Sequence, residues 1–456
     1  MGDVAVARRA ALDALLAFEQ GRPVDQALAG ALDRHLPADP RDRALAVELA
    51  YGVIRRLRAL DFALNAAATR PVDRMQRPVR AVLRLAAYQL LYLDRIPAHA
   101  AVHQAVAQAR AAAGPAAAGF VNAVLRSLLR RRERLAWPDA RRQPARHLAV
   151  VHSHPDWIVE RWLQRLGFDE TAALCEANNR RPELTLRVNR LRSDPAAAAE
   201  ALQAAGVEAA PGRYLDGALR VRSQVAPDAL PGYAEGAWTP QDEGSMLVAL
   251  VLDPQPGEKV LDACAAPGTK TTHLAEFMGD RGEILALDAD EARLVRVAEN
   301  VRRLRLASVR WRQGDARQAG SLVGAGWADR VLVDAPCTGL GTLARRPDLR
   351  WRRRPGDVAA LAALQREILA GAAEAVRPGG VLVYSTCTTE PEENQEVVRS
   401  FLAEHPEFRT EPVTPWLPPA LRPAVDAEGW VQLWPHRHGV DGFFIARMRR
   451  EEVPAR

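Results

Sequence analysis

LVYSTCTTEPEEN, residues 382–394, decides how the C-terminal half of this chain is read. Leu382, Val383 and Tyr384 have the apolar character of the end of a buried strand. Thr389, Glu390, Pro391 and Glu392 look like a helix start, with Thr389 and Glu392 spaced as a capping box. Cys387 is therefore placed on a strand-to-helix turn, where open α/β sheets expose reactive groups and where a helix N-terminus favours a thiolate. The competing reading is a small buried hydrophobe, which is what most free cysteines are.

Outward from this stretch, the sequence beyond Trp238 alternates between strand-like and helix-like runs. EKVLDA is followed by a helix from Thr271, EILALDAD by a helix from Glu291, then come SVRWRQGD, DRVLVDAPC, a helix around Leu361 to Val376, and GVLVYSTC. This is the rhythm of a doubly wound sheet. GWVQLWPHRHGVDGFFIARM, near the C-terminus, supplies two strand-like runs expected to add antiparallel edge strands. Residues 1–142 are rich in Ala, Leu and Arg at helical spacing and read as an all-α bundle. PDARRQPARH (138–147) breaks that pattern as a linker, and 147–237, with the strand-like run LTLRVN and Gly/Pro punctuation, reads as a small α+β module. The expectation is a multidomain chain divided at 1–142, 147–237 and 238–450.

A chain of 456 residues, 48% hydrophobic and 26% charged, can bury several cores. The sequence reading finds no uninterrupted apolar run of bilayer length, and MGDVAVARRAALDALL reads as a charged amphipathic helix without a signal peptide's apolar block. A cytoplasmic location and no membrane partner are expected. Cys175, Cys264, Cys337 and Cys387 show no CxxC or zinc-ligand spacing, so reduced thiols and no metal are expected. Net charge is +6, and basic residues cluster in RSLLRRRERL (126–135) and ARRPDLRWRRR (344–354). Such clusters suit a polyanionic partner, against the alternative of a solvated face in an arginine-rich chain. Lys259 and Lys270 are the only lysines. A lysine directly after the loop APGT suits a compact point charge at a fitted site.

Ligands of doubly wound sheets lie beyond the carboxyl ends of the strands, so the residues closing each strand matter most. The first strand runs into DACAAPGTK (262–270), where small residues let backbone approach a ligand and helix N-terminal amides can bind an anionic group. It lacks GxGxxG, which weakens a dinucleotide reading. Asp288 closes the second strand, where a carboxylate could accept both hydroxyls of a ribose. Asp315 closes the third, within reach of an exocyclic amine. Each aspartate alone reads more readily as a cap or turn residue; their recurrence at three successive strand ends reverses that preference. The fourth strand ends DAPCTGLG (334–341), bringing Asp334 and Cys337, and the fifth ends at Cys387. Two thiols and a carboxylate beside a nucleoside-type cofactor suggest covalent catalysis on an electron-poor ring.

DACAAPGTK, DAPC and YSTC, in this order and spacing, resemble the RNA (cytosine-5) methyltransferases that use S-adenosylmethionine. The resemblance implies that Cys387 attacks C6 of a cytosine, that C5 takes the methyl group, and that Cys337 assists release. It places the cofactor on Cys264, Ala265, Ala266, Pro267, Gly268, Thr269 and Lys270, with Asp288, Asp315 and Asp334, the last also facing the cytosine. The family usually has PGGK where this chain has Pro267, Gly268, Thr269 and Lys270. Were the second glycine to supply a positive φ, Thr269 would be strained. AVHQAVAQARAAAG and GFVNAVLRSLLR are similar to the NusB-like helical RNA-binding domain. That domain, ahead of a Rossmann-like catalytic domain, marks the RsmB/Sun branch, and TLRVN resembles the small module between them. The implied substrate is 16S ribosomal RNA, and a monomer is expected.

Arg345, Arg346, Arg350, Arg352, Arg353 and Arg354 around Trp351 supply, by independent physics, phosphate contacts and a stacking surface near the nucleophile. A cytosine in a helix would have to be unstacked to react, and methylation should depend steeply on salt. Two alternatives stay open: methylation of tRNA, and a non-catalytic RNA-binding or ribosome-assembly role. Cys175 and the HRH run at 436–438 read as structural or surface residues.

Overall fold

The computed structural model describes residues 5–35, 39–223 and 225–452. It divides into two compact units, one formed by Met1–Arg181 with Leu343–Arg353, the other by Pro182–Thr342 with Arg354–Arg456.

The first unit is helical. Its core gathers the apolar stripes of successive helices, including Leu12 and Leu15, Leu49 and Val53, Leu60 and Leu64, Val82 and Leu85, Val121 and Leu125. Stripes at three- and four-residue spacing can only be buried against one another, which is what an Ala- and Leu-rich helical sequence dictates. The segment Ala98–Arg131 is broken at Gly114, whose φ of 86° is open to glycine at little cost. By length and composition alone this segment is long and apolar enough to cross a membrane, although His, Gln and Arg residues interrupt it. Its stripe of Val102, Ala105, Ala109, Val121, Leu125 and Leu128 instead belongs to the helical core. The helices Pro144–Val151 and Asp156–Ala177 belong to this unit, and the first of them begins inside the boundary expected at 142–147.

The second unit contains two sheets. The smaller is antiparallel with order β2-β3-β1-β4, from β1 (Leu184–Val188), β2 (Glu208–Pro211), β3 (Ala218–Arg222) and β4 (Trp238–Pro240). The boundary expected at 237/238 falls immediately before β4. The helix Pro195–Ala204 packs on it through Ala198 and Leu202, capped by Asp194, which accepts from the amide of Ala197 at 2.9 Å.

The larger sheet is built from β5 (Lys259–Asp262), β6 (Glu283–Asp288), β7 (Val309–Gln313), β8 (Ala328–Asp334), β9 (Val376–Thr386), β10 (Phe408–Thr410), β11 (Val431–Gln432) and β12 (Phe444–Arg450). Its order is β10-β12-β9-β8-β5-β6-β7, with β11 beside β12. The five strands from β9 to β7 run parallel; β5, β6, β8 and β9 carry buried apolar runs, whereas the edge strand β7, VRWRQ, is largely exposed. The order reverses between β5 and β8, so the switch point lies between these two strands.

Three sequence expectations are refined here. The last strands are antiparallel as expected, but β12 is interior: it pairs with β9 on one side and β10 on the other. The helix expected around Leu361–Val376 runs Pro355–Ala373; Pro355 suits its first turn, and Asp357 accepts from the amide of Arg354 at 3.1 Å. Glu243–Leu252, an apolar helix with almost every residue buried, was not marked in the sequence, because an all-apolar run has no periodicity to reveal it.

Candidate active site

At the end of β5 the chain turns through Cys264–Gly268 into the helix Thr269–Phe277. Gly268 has φ of +95°, and a Cβ there would lie 3.1 Å from the backbone of Val297. The left-handed residue of PGTK is thus Gly268. Thr269 is the first residue of the helix and is not among the positive-φ residues, so the strain anticipated at Thr269 does not arise. The loop is held by Asp288 at the end of β6. Its Oδ2 accepts from the amide of Ala266 at 3.1 Å, its Oδ1 from that of Asp290 at 3.0 Å, and the guanidinium of Arg293 lies 3.5 Å away. Asp315, beyond β7, is engaged by Arg317, whose side chain donates to it at 2.7 Å and holds its carboxyl below the usual range. It also accepts from the amide of Arg317 at 3.0 Å as a cap. The structure thus shows Asp315 as a cap paired with Arg317.

Lys270 and Asp334 meet across the switch point. Lys270 Nζ donates to Asp334 Oδ2 at 2.7 Å and lies 4.9 Å from the centre of the Phe443 ring. Ser385, opposite Asp334 in register on β9, donates through its hydroxyl to Oδ1 at 2.8 Å. Both oxygens of Asp334 are thus oriented, and the lysine singled out in the sequence supplies a near-buried cation to a carboxylate. Beneath them Asp262 is fully buried. Burial pushes its carboxyl up to about 7, and the charge of Asp334 adds to this, while the Thr271 hydroxyl, donating at 2.7 Å, and Lys270 oppose it. Burial, with the charges of Asp262, Asp334 and Asp288, likewise pushes the Cys264 thiol well above its ordinary value.

The two strand-end thiols are neighbours: Cys337 Sγ and Cys387 Sγ are 3.4 Å apart. Cys337 is buried and Cys387 partly exposed. The hydrogen bond with Cys387 is the largest cause, followed by burial, of a Cys337 pKa well above the ordinary thiol value. Cys337 is therefore a thiol at neutral pH, with its proton available toward the other sulfur. The dipole argument for Cys387 needs correction. Thr389 and Glu392 form no capping box: the Thr389 hydroxyl donates to Glu390 at 3.3 Å, a 3₁₀ turn occupies Pro391–Glu393, and the α-helix begins only at Gln395. Cys387 is separated from that helix start by a tightly bonded loop.

The residue that organises this loop is Glu393, which the sequence reading missed. It is completely buried and accepts from the amide of Thr338 at 2.8 Å, from the Thr338 hydroxyl, and from Gln365 Nε2 at 3.0 Å. Its own carbonyl accepts from Tyr384 Oη at 2.6 Å. Burial raises its carboxyl pKa, and the donors oppose that rise. The hydroxyls of Thr338 and Thr388 lie 2.8 Å apart, so the loops bearing the two cysteines are bonded side by side. Asn394 completes the frame, donating to Thr388 O at 3.1 Å and Gln432 Oε1 at 2.9 Å. In a run reading EPEEN, acidic residues look like a solvated helix start. Only the excess of polar residues between YSTC and the helix could have hinted at an internal network.

The arginine-rich segment is where structure departs furthest from the sequence reading. Arg350, expected to contact phosphate, is fully buried, with its guanidinium bonded to backbone carbonyls and to Asn179 Oδ1 at 2.9 Å. Trp351, expected as a stacking surface, packs against the helical core and donates its indole N–H to Ile54 O at 2.8 Å. Arg350 is not available to RNA, because its guanidinium is wholly enclosed, while the indole of Trp351 is partly buried against the helical core. Arg346 and Arg352 are exposed, with Arg352 3.4 Å from Asp348, and Arg345 is partly exposed.

With this geometry in hand, three family models match the chain: 16S rRNA methyltransferase RsmB/F over residues 249–449, the NusB family over 5–130, and an RsmF/B-like ferredoxin-like domain over 154–227. Among curated proteins, the chain is 40% identical to the probable ribosomal RNA small subunit methyltransferase B of Synechocystis over 93% of this chain and 95% of the relative. It is 38% identical to the probable protein of the same description from Bacillus subtilis, over 97% and 98%. Among solved structures, that of PH0851 superposes with a TM-score of 0.83 at 30% identity, covering 99% of this chain and all of that one.

Proposed function

Because the chain belongs to the 16S rRNA methyltransferase RsmB/F family, whose members are S-adenosylmethionine-dependent RNA methyltransferases, we propose that it methylates C5 of a cytosine in 16S ribosomal RNA through a transient bond between Cys387 and C6. The residues present fit that cofactor. Ala265, Ala266 and Gly268 are small enough for close approach, Asp288 is fixed by two amides at the end of β6, and Lys270 and Asp334 face each other at the switch point. When bound, the cofactor supplies a methyl group as an electrophile.

The observation that carries the reading is the 3.4 Å separation of the two sulfurs, with Cys337 held as a thiol. Cys387, the more accessible sulfur, adds as thiolate to C6, which places the electron pair on C5. After C5 is alkylated, its proton must leave as the bond between Cys387 and C6 breaks, returning the thiolate. Cys337, once it has given up its thiol proton to water, is the base that accepts the C5 proton and so regains its thiol as the thiolate of Cys387 leaves. Asp334, oriented by Lys270 and Ser385, offers a fixed acceptor to the exocyclic amine of the base. The substrate is proposed to be the 16S RNA itself, in the cytoplasm, with the protein acting as a monomer and without a metal. The three-part division at 142, 147 and 237/238 is kept as part of the proposal.

Incubation with unmodified 16S RNA and S-adenosylmethionine, followed by nucleoside mass spectrometry, tests it: 5-methylcytidine is expected. C337A is expected to accumulate a protein–RNA adduct, and C387A to form none. Full turnover by C387A would overturn the assignment.

A further inference from the structure

Three helices of the helical unit end at one point. Pro40–Arg55, Pro144–Val151 and Asp156–Ala177 direct carbonyls at or just past their C-termini, those of Arg55, Ser153 and Asn178, at the guanidinium of Arg350. Nη1 donates to Ser153 O at 3.1 Å and Arg55 O at 3.5 Å, in addition to Asn179 Oδ1; Nη2 donates to Asn178 O at 3.0 Å and Leu343 O at 3.4 Å. The negative ends of three helix dipoles thereby stabilise a buried cation that a lone carbonyl could not. Burial pushes the Arg350 pKa down to about 9, still cationic at neutral pH. The rest of the segment is equally committed. Leu343 and Leu349 are buried, Arg55 Nη2 donates to Ala344 O at 3.0 Å, and Trp351 is pinned to Ile54.

This anchored segment directly continues the loop that carries Cys337. Within that loop Gly341 donates its amide to Cys387 O at 3.0 Å, and its carbonyl accepts from Gly442 at 2.8 Å. Thr342 follows, and Leu343 is already part of the helical unit. A loop with one end on β8 and the other fixed at Leu343 has far fewer conformations than one with a free arm.

We infer that Arg350 is a positioning residue: by locking Leu343–Arg353 into the helical unit it holds, along the chain, Ala335–Thr342 and the Cys337 thiol in register with Cys387. This rests on the reading of Cys337 as the thiol that assists release.

Hydrogen exchange on the full chain, without RNA, tests the anchor independently of the reaction. In R350M, peptides covering 335–342 are expected to exchange about tenfold faster, while β5 and β6 keep their wild-type protection. R350K, which retains the charge and some donors, recovers part of the protection. In turnover, kcat of R350M falls about tenfold with KM for S-adenosylmethionine unchanged, the split expected of a misplaced reactive group. A variant in which 343–353 exchanges freely while 335–342 keeps its protection would overturn the inference. Should R350M fail to fold, N179A, which removes one acceptor, is read on the same peptides with the same two outcomes. Absence of cytosine methylation in the wild type would defeat the proposed reaction yet leave the exchange result to decide the anchor.

Discussion

Asp334–Thr342 and Leu343–Arg353 follow one another in the chain, and both carry residues of obvious chemical promise. In the first, the thiol of Cys337 is kept beside a second sulfur by a frame of buried hydroxyls around Glu393. In the second, Arg350 and Trp351 are turned inward and consumed by helix ends and carbonyls. Residue type alone does not separate them, since a cation and an indole serve a core as well as a ligand once their donors find acceptors. What separates them is enclosure: Arg350 is wholly buried, whereas the sulfur of Cys387 beside Cys337 stays partly exposed. The same difference distinguishes Arg350 from its exposed neighbours Arg346 and Arg352.

The sharpest way to break this comparison is C387A. Methyl transfer is expected to fall by about a thousandfold or more while RNA affinity is retained, measured by methyl incorporation and filter binding side by side. Next comes the cofactor loop. G268A places a Cβ 3.1 Å from Val297 at a φ of +95°, and should lower stability by roughly 1–3 kcal/mol in denaturant titrations and weaken cofactor binding with it.

Asp262 gives an effect of comparable size that depends on pH. Its folded pKa of about 7 lies above the ordinary carboxyl value of 3.8, so between these values the folded state holds a proton that the unfolded chain releases. Its contribution is therefore fully present below about pH 4, is lost as pH rises to about 7, and is level thereafter. D262N, which keeps an acceptor for Thr271, should match the wild type in Tm near pH 4 and exceed it above pH 7, by on the order of 4 kcal/mol at most. A gap that did not vary with pH would refute the assignment.

Within the arginine segment, R346Q and R352Q should each reduce the slope of log Kd for RNA against log salt by a little under one, while R350M leaves the slope unchanged. Equal slopes for all three would erase the distinction between buried and exposed arginines. The smallest effect is expected for T269G: because Thr269 is helical, restoring the usual glycine should change cofactor Kd by less than about twofold and cost under about 1 kcal/mol of stability.

Much of the catalytic half was legible in the sequence. Alternating apolar runs and turn residues place β5, β6, β7, β8 and β9, and thereby put Asp288, Asp334, Cys337 and Cys387 at the carboxyl edge of one sheet. Strand periodicity and short connections are local properties, and a doubly wound sheet converts them into a site almost without further information. The pairing of Lys270 with Asp334 follows from the same geometry, because β5 and β8 flank the switch point.

Tertiary structure alone decided the rest. Glu393 as an internal strut, β12 as an interior strand and Arg350 as the meeting point of three helix ends each depend on partners far away in sequence, between which no local pattern connects. The fate of a polar side chain is set by which acceptors surround it when water is excluded. Composition offers sixty arginines and says nothing about which one the fold will close over.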